Sequence, residues 1–339
     1  MTASEKILVV GPSWVGDMVM AQSLYRLLKA RDSSAAIDVL APGWSLPLLE
    51  RMPEVSGGIE LPLGHGELGL GKRRRLGRAL RGRYDRAIIL PRSLKSALVP
   101  WFARAPVRTG FRGEMRYGLI NDARPFDPKK LNQTVRRFVA LGLETGEAAL
   151  PEPPEPALDI DEAARARLIV RLSLAAEGPV VALMPGAEYG PAKQWPPAHF
   201  AGLAGRLGRE GAQVWVLGSS KEAPLGREIE EKSGSRRVRN LCGETTLVEA
   251  VDLLSAASVA VSNDSGLMHV AAAVGTHTVA IYGSSTPDFT PPLTGKATVH
   301  YRRLSCSPCF ERECPLGHLD CLKGIDVEQV FAGVKARLA

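Results

Sequence analysis

The stretch "KILVVGPSWVGDMVMAQSLYRLLK", residues 6–29, decides the fold class of this chain. The apolar run Lys6–Val10 predicts a buried strand, and Gly11 and Gly16 permit a tight turn that leads into Asp17. The apolar residues that follow have the spacing of a buried helix face: Met20, Leu24, Leu27 and Leu28. A strand, a glycine turn and a helix in this order form the repeating unit of doubly wound α/β domains.

Short β-branched runs alternate with helical patterns along the whole chain, as in parallel sheets built from strand–helix–strand units. The predicted strands are Lys6–Val10, Ala36–Leu40, Arg86–Leu90, Val180–Met184, Gln213–Leu217, Val259–Ser262 and Thr278–Tyr282. Four prolines among residues 151–156 indicate a linker. We therefore expect two Rossmann-like domains, residues 1–156 and 157–325, that face a cleft with their strand ends. The last helix, residues 326–339, is free in this scheme to pack back on the first domain.

The composition is that of an ordinary globular protein, with 23% charged and 45% hydrophobic residues among 339. No apolar run reaches the roughly 18 to 20 residues that cross a bilayer. The first residues, MTASEK, lack a signal-peptide pattern. We therefore expect a cytoplasmic protein.

Positive charge is concentrated in one segment. Residues 72–116 contain fourteen basic and two acidic residues, a net charge of +12, whereas the whole chain carries +7. This imbalance favours an anionic partner, which can be a nucleic acid, a surface of anionic lipid headgroups or a phosphorylated substrate. A solvated arginine-rich face is the alternative.

Polar, glycine-bearing turns follow the predicted strands of the second half and indicate a nucleotide pocket. In "NDSGLMHVAAAVG", residues 263–275, Asp264 or Ser265 can cap a helix whose free N–H groups suit a pyrophosphate. In "MPGAEYGPAKQWPPAHF", residues 184–200, Lys193 can neutralise diphosphate charge. A plain helix cap and a surface lysine are the alternatives. Neither a dinucleotide fingerprint nor a P-loop is present, which disfavours an NAD oxidoreductase and a P-loop enzyme.

Two further turns carry candidate residues. "VLGSSKEAPLGREIEE", residues 216–231, can hold a ribose or a nucleobase edge, and "IYGSSTPDFTPPL", residues 281–293, is a fourth turn of this kind. In the first half, Asp17 at a helix N-terminus stays ionised and can accept a proton from a hydroxyl, or it is only a helix cap. Trp14 either covers the site or belongs to the core.

Four of the five cysteines crowd into "CSPCFERECPLGHLDC". Stable disulfides are rare in the cytosol, so zinc or an iron–sulfur cluster is considered first. The spacing C-x2-C-x4-C-x6-C is uncommon among zinc knuckles, and we therefore expect a reduced structural loop and no metal. The residues concerned are Cys306, Cys309, Cys314 and Cys321.

Over nearly its whole length the sequence resembles the lipopolysaccharide heptosyltransferases. The resemblance rests on the opening stretch and on "MPGAEYGPAKQWP", "SNDSGLMHVAAAVGTHTVAIYGSSTP" and "CSPCFERECPLGHLDCL". It implies the GT-B architecture, with the acceptor on the N-terminal domain and the nucleotide sugar on the C-terminal one. The implied reaction is the inverting, metal-independent transfer of L-glycero-D-manno-heptose from ADP-heptose to the first inner-core heptose of Kdo2-lipid A, with no cofactor and no nucleic-acid partner.

The resemblance also implies roles for individual residues. Asp17 is the expected catalytic base. The expected donor-binding residues are Gly186, Ala187, Glu188, Lys193, Ser219, Ser220, Lys221, Glu222, Asp264, Ser265, Gly266, Leu267 and His269. The expected acceptor-binding residues are Trp14, Gly16, Arg92, Lys95, Arg112 and Arg116. The basic segment is then expected to face the carboxylates and phosphates of the acceptor, with the protein peripheral on the inner membrane.

Three other functions stay open at this point. Heptosyltransferase I or III would use the same residues on another core acceptor. A nucleotide-sugar epimerase of the same fold would need the donor pocket but no basic acceptor surface. A nucleic-acid-binding protein would bind in a salt-sensitive way that does not depend on Asp17.

Overall fold

The computed structural model of the protein describes residues 4–64, 66–144, 146–147, 149–174 and 178–338. The chain divides into two compact units, Met1–Pro156 and Ala157–Ala339. Among the described residues, none of the helices combines the length and the hydropathy needed to span a membrane.

The first unit is built around one parallel sheet. Its strands are β1 (Lys6–Val10), β2 (Ala36–Ala41), β3 (Gly57–Glu60), β4 (Arg86–Ile89), β5 (Val107–Phe111) and β6 (Asp122–Arg124). Its helices are α1 (Val15–Arg31), α2 (Leu46–Leu49), α3 (Leu70–Ala79), α4 (Leu98–Phe102) and α5 (Thr134–Leu141). The strand order is β3-β2-β1-β4-β5-β6, and every neighbouring pair is parallel.

The second unit repeats this plan. Its strands are β7 (Val180–Met184), β8 (Gln213–Val216), β9 (Val238–Asn240), β10 (Val259–Asn263), β11 (His277–Tyr282) and β12 (Ala297–Tyr301). Its helices are α6 (Glu162–Arg171), α7 (Pro197–Arg209), α8 (Ala223–Ser233), α9 (Leu247–Ala256), α10 (Gly266–Ala273), α11 (Asp320–Lys323) and α12 (Val327–Lys335). The order β12-β11-β10-β7-β8-β9 is again wholly parallel.

Both sheets have the strand order of the doubly wound Rossmann fold, so the predicted fold class is confirmed. In such sheets the order reverses between two central strands, and ligands bind at the carboxyl ends of those strands. The reversal lies between β1 and β4 in the first unit and between β7 and β10 in the second. The loops that follow these four strands are therefore where function is expected.

The central strands were predictable because helices cover both faces of each sheet. In β1, Ile7, Leu8 and Val9 have no solvent exposure, and such strands are continuously apolar in sequence. The sequence analysis missed β3, β5, β6, β9 and β12. Among these, β3, β6, β9 and β12 lie at or next to a sheet edge, where half-exposed strands carry polar residues or glycine.

The last helix, α12, packs within the second unit. Val330, Phe331 and Val334 are buried in the same core as Phe200 and Leu203 of α7. The expectation that residues 326–339 can pack back on the first domain is therefore corrected. Asp326 caps this helix through a 2.8 Å hydrogen bond that the Gln329 N–H donates to its side chain.

We expect Phe331→Ala to lower the free energy of unfolding by about 3 to 5 kcal/mol, because it leaves a cavity in that core. Phe331 is 5% exposed, and the Arg206 guanidinium lies 4.1 Å from its ring centroid. Urea unfolding followed by circular dichroism measures the change. Val170→Ala, at a residue that is 78% exposed, is the control and should change it little. Equal effects in the two variants would contradict the placement of α12.

Candidate active site

A partly buried ion pair lies at the reversal point of the second sheet. Lys193 belongs to the loop after β7, and Asp264 directly follows β10. The Lys193 Nζ atom is 2.5 Å from Asp264 Oδ2, and the two side chains are 17% and 4% exposed. The structure thus brings together two residues that the sequence analysis selected independently, 71 positions apart.

Asp264 is held by two hydroxyl groups as well. Ser285 donates a hydrogen bond to Oδ2, and Thr290 donates one to Oδ1 at 3.2 Å. Both donors lie in the turn after β11, which the sequence analysis noted without selecting these residues. The Asp264 carboxylate therefore binds side chains of two neighbouring loops. Of the two residues expected as the cap of α10, Asp264 or Ser265, Ser265 holds the N-cap position.

Within the described part of the chain, the N-cap residue of α10 does not cap the helix through its side chain. Ser265 is the N-cap residue, but its side chain makes no capping hydrogen bond, and its Oγ instead lies 3.2 Å from Ser262 Oγ. Gly266 and Leu267, the first helical residues, are half-buried. A helix N-terminus without a side-chain cap is suited to an anion, which can accept hydrogen bonds from the first N–H groups.

His269, one turn into α10, is buried and neutral. Burial lowers the pKa of its imidazole to about 4, the positive charge of Lys193 adds to this, and the Asp264 carboxylate opposes it. Within the described residues its Nδ1 atom has no hydrogen-bond partner. The side chain therefore places a neutral imidazole near the ion pair of Lys193 and Asp264.

The other predicted donor-binding residues lie after β7 and β8, which are neighbours in the sheet. Lys221 Nζ donates a 2.8 Å hydrogen bond to Glu188 Oε1 across the two loops. Ser219 and Glu222 form a reciprocal capping box around the intervening residues. A Cβ atom at Gly186 would come within 3.0 Å of the Glu222 carboxylate, so the glycine lets these loops approach. The remaining members of the set are Ala187, which is buried, and Ser220, which is exposed.

Asp17 lies at the reversal point of the first sheet, in the first turn of α1 after β1. Gly16 is buried beside it, and Asp17 itself is half-buried. Trp14 is the N-cap residue of α1 and is 43% exposed. Of the two alternatives for Trp14, the structure therefore excludes a core position.

Two arginines and a phenylalanine lie near Asp17. The guanidinium groups of Arg92 and Arg137 lie 4.1 and 5.1 Å from the centroid of the Phe126 ring. Burial lowers the pKa of Arg137, the charge of Arg92 lowers it further, and the charge of Asp17 opposes both. The sequence analysis missed Phe126 and Arg137, because they lie outside the basic segment and only the fold brings them to Arg92.

Lys95 and Arg112 follow β4 and β5, so they lie at the same sheet edge as Asp17. Arg116 differs. It is 2% exposed, and its guanidinium donates hydrogen bonds to the carbonyl oxygens of Pro91, at 2.9 Å, and of Phe111. Its place as an acceptor-binding residue is corrected here, because its guanidinium instead joins the ends of β4 and β5.

Residues 73–320 match glycosyltransferase family 9, the heptosyltransferases. The chain belongs to this family. It is 55% identical over 303 residues, 87% of each chain, to lipopolysaccharide heptosyltransferase 2 of Salmonella typhimurium. The solved structure of ADP-heptose lps heptosyltransferase II from E. coli matches 98% of each chain with a TM-score of 0.86 and 46% identity. A family 9 structure from Veillonella parvula, 18% identical, has a TM-score of 0.85, covers 100% of this chain and 98% of its own, and supports the fold alone.

The cysteine-rich segment of this glycosyltransferase is hydrogen-bonded to the loops after β7 and β11. The Phe310 N–H donates a 2.7 Å hydrogen bond to the Ser284 carbonyl, and the Ala192 N–H donates one of 3.1 Å to the Arg312 carbonyl. The segment thus connects the loops that carry Lys193 and Ser285. Its four thiols line one small cavity and form no disulfide, and no three potential ligands in the described ranges are placed to hold a metal: Cys306, Cys309, Cys314 and Cys321.

We expect the stability of the enzyme to fall between pH 6.5 and pH 4 in part because of His269. In this range the unfolded chain binds a proton that the folded imidazole, with a pKa of about 4, does not bind. The free energy of unfolding therefore decreases as the pH is lowered, by up to about 3 kcal/mol from this group. Urea unfolding of the wild type and of His269→Gln at several pH values measures this contribution.

The variant His269→Gln should show a weaker pH dependence in this range. His318→Gln, at a half-exposed histidine, is the control and should keep the wild-type dependence. A His269→Gln profile that parallels the wild type would show that the imidazole is not held neutral by its surroundings.

Proposed function

We propose that this family 9 enzyme transfers L-glycero-D-manno-heptose from ADP-heptose to the first inner-core heptose of Kdo2-lipid A, with inversion at the anomeric carbon. The observation that carries this proposal is the ion pair of Lys193 and Asp264 beside the uncapped N-terminus of α10. The similarity to proteins named lipopolysaccharide heptosyltransferase 2 supports the choice of donor and acceptor.

The donor diphosphate is proposed to bind at the start of α10. The free N–H groups and the helix dipole attract an anion there, and Lys193 adds a full positive charge. As the bond between the anomeric carbon and the diphosphate oxygen breaks, negative charge grows on ADP, and these groups stabilise it. The loops after β7 and β8 then hold the nucleoside or the sugar.

Asp17 is proposed to act as the general base. Its carboxylate accepts the proton of the acceptor hydroxyl while that oxygen attacks the anomeric carbon and ADP leaves. One displacement of this kind inverts the configuration. The proton ends on Asp17, and the electron pair of the broken bond ends on ADP.

The acceptor is proposed to bind to basic residues at the carboxyl end of the first sheet. Arg92, Lys95 and Arg112 lie there, and Arg137 joins them through the shared ring of Phe126. Guanidinium groups recognise carboxylates and phosphates through paired hydrogen bonds. With a lipid as acceptor, the enzyme is proposed to work as a peripheral protein on the cytoplasmic face of the inner membrane.

We expect Asp17→Asn to lower kcat by a factor of about 100 to 10,000, because the amide cannot accept the proton. ADP-heptose binding should stay within about twofold of the wild type, because Asp17 belongs to the acceptor unit. Release of ADP with a mono-heptosylated acceptor gives the rate, and isothermal titration calorimetry gives the affinity.

The control is Asp32→Asn, at the C-cap of the same helix α1. It should leave kcat unchanged. Wild-type turnover in Asp17→Asn would remove Asp17 from the mechanism. ADP release without any acceptor would instead favour an epimerase or hydrolase reaction, and release only with an unheptosylated or a di-heptosylated acceptor would favour heptosyltransferase I or III.

We expect Lys193→Gln to reduce kcat/KM for ADP-heptose by a factor of about 100 to 1,000, since one charge that stabilises the leaving group is lost. Calorimetric titration with ADP should show weaker binding as well. Lys232→Gln removes a lysine that pairs with Glu228 at an exposed site of the same unit, and it serves as the control. Unchanged ADP affinity in Lys193→Gln would place the diphosphate elsewhere.

A further inference from the structure

The fold divides the basic segment of residues 72–116 between two opposite edges of the first sheet. Arg92, Lys95 and Arg112 follow the carboxyl ends of β4 and β5. Arg104 precedes β5 and Arg108 is its second residue, so both lie at the amino end. Since all strands of this sheet are parallel, the second group lies at the opposite edge of the sheet from Asp17.

The arginines at the amino end line a pocket of about 450 Å³, here called the arginine pocket. Arg74 and Arg78 belong to α3, and Arg81 follows it. Arg104 lies in the loop before β5, and Arg108 is in β5. Trp101 of α4 also lines the pocket. Close packing of α3 on α4 forms it. A Cβ atom at Gly77 would lie 2.4 Å from Phe102 Cβ and 2.7 Å from the Val99 carbonyl oxygen, so only glycine allows this approach.

Among the described residues, no carboxylate neutralises the positive charge of the arginine pocket. No carboxylate lines the pocket, and none of its arginines forms an ion pair in the part of the chain that the structure describes. Arg81 and Arg108 are held in place by backbone carbonyls, of Phe102 at 3.2 Å and of Leu119 at 2.7 Å. Concentrated like charges without counter-charges repel one another and favour a polyanionic ligand.

Apolar side chains border these arginines. Leu70, Arg74 and Arg78 follow one another at a spacing of four residues along α3, and all three side chains are exposed, whereas Arg73 and Gly77 are buried. Leu70 is 51% exposed and Trp101 is 44% exposed. A mixture of arginine with exposed leucine and tryptophan is typical of surfaces that lie in the headgroup region of a membrane.

We propose that the arginine pocket binds the phosphates of anionic phospholipid headgroups, so that the first unit docks on a membrane away from its acceptor-binding edge. The inference rests on the proposed function in that the acceptor is a lipid. A nucleic acid is less suited, because the pocket offers one concave site with a single exposed ring rather than a track of stacking residues. Membrane docking and acceptor recognition thus use different arginines of one basic segment.

The test uses the full-length protein and vesicles of phosphatidylcholine with or without 30% phosphatidylglycerol. The variant Arg74→Ser/Arg78→Ser/Arg104→Ser should bind the anionic vesicles at least tenfold more weakly than the wild type, since each arginine contributes to attraction by the surface. The control variant, Arg209→Ser/Arg227→Ser/Arg236→Ser, removes the same charge from exposed sites of the second unit and should bind within twofold of the wild type. Raised salt should weaken wild-type binding.

Turnover of a water-soluble, deacylated acceptor separates this inference from the proposed function. The pocket variant should keep the wild-type kcat/KM on that acceptor while its rate on acceptor embedded in anionic vesicles falls. Unchanged vesicle binding in the pocket variant, or tighter binding of single-stranded RNA than of vesicles by the wild type, would overturn the inference. Loss of turnover on the soluble acceptor would also overturn it, because the pocket would then belong to the acceptor site. Failure of the wild type to use any such acceptor would count against the proposed function alone.

Discussion

The site in the second unit depends on one partly buried interaction, the ion pair between Lys193 and Asp264. Burying two charges costs several kcal/mol for each ion, and their attraction offsets this cost only when further hydrogen bonds satisfy both groups. Ser285 and Thr290 supply such bonds to the carboxylate. This arrangement also suits the proposed diphosphate site, because an aspartate without a nearby cation would repel a diphosphate. With its charge shared among one ammonium and two hydroxyls, Asp264 positions Lys193 without excluding an anionic ligand.

The cysteine-rich segment holds together the two loops around this ion pair. Its backbone is hydrogen-bonded to the loop that carries Lys193 and to the turn that carries Ser285. Gly190 also lets the backbone of the Lys193 loop approach the segment closely, because a Cβ atom there would lie 2.5 Å from the Arg312 carbonyl oxygen. A segment about 120 residues after the Lys193 loop in sequence therefore links the loop of the cation to the turn of one hydroxyl donor. Preorganised groups of this kind need little rearrangement when charge develops on a leaving group.

The sequence predicted the central strands and the turns that follow them, because burial on both faces and glycine-bearing turns leave local patterns. It did not predict the partners within the site. Asp264 beside Ser265 and Gly266 has the pattern of a helix cap, but its partners come from loops 71, 21 and 26 residues away. Arg137 and Phe126 carry no local signal for the same reason. Edge strands such as β3 and β9 were missed because half-exposed strands are not continuously apolar.

The high arginine content of residues 72–116 does not by itself indicate where each arginine lies in the fold. Arg92 lies against an aromatic ring near Asp17, Arg116 is buried on backbone carbonyls, and Arg104 lines a pocket at the opposite edge of the sheet. The position of each arginine relative to the ends of β4 and β5 separates these three roles. A parallel strand carries its two ends to opposite edges of the sheet. A basic segment that contains two such strands, with arginines near both strand ends, therefore contributes to two separate basic surfaces.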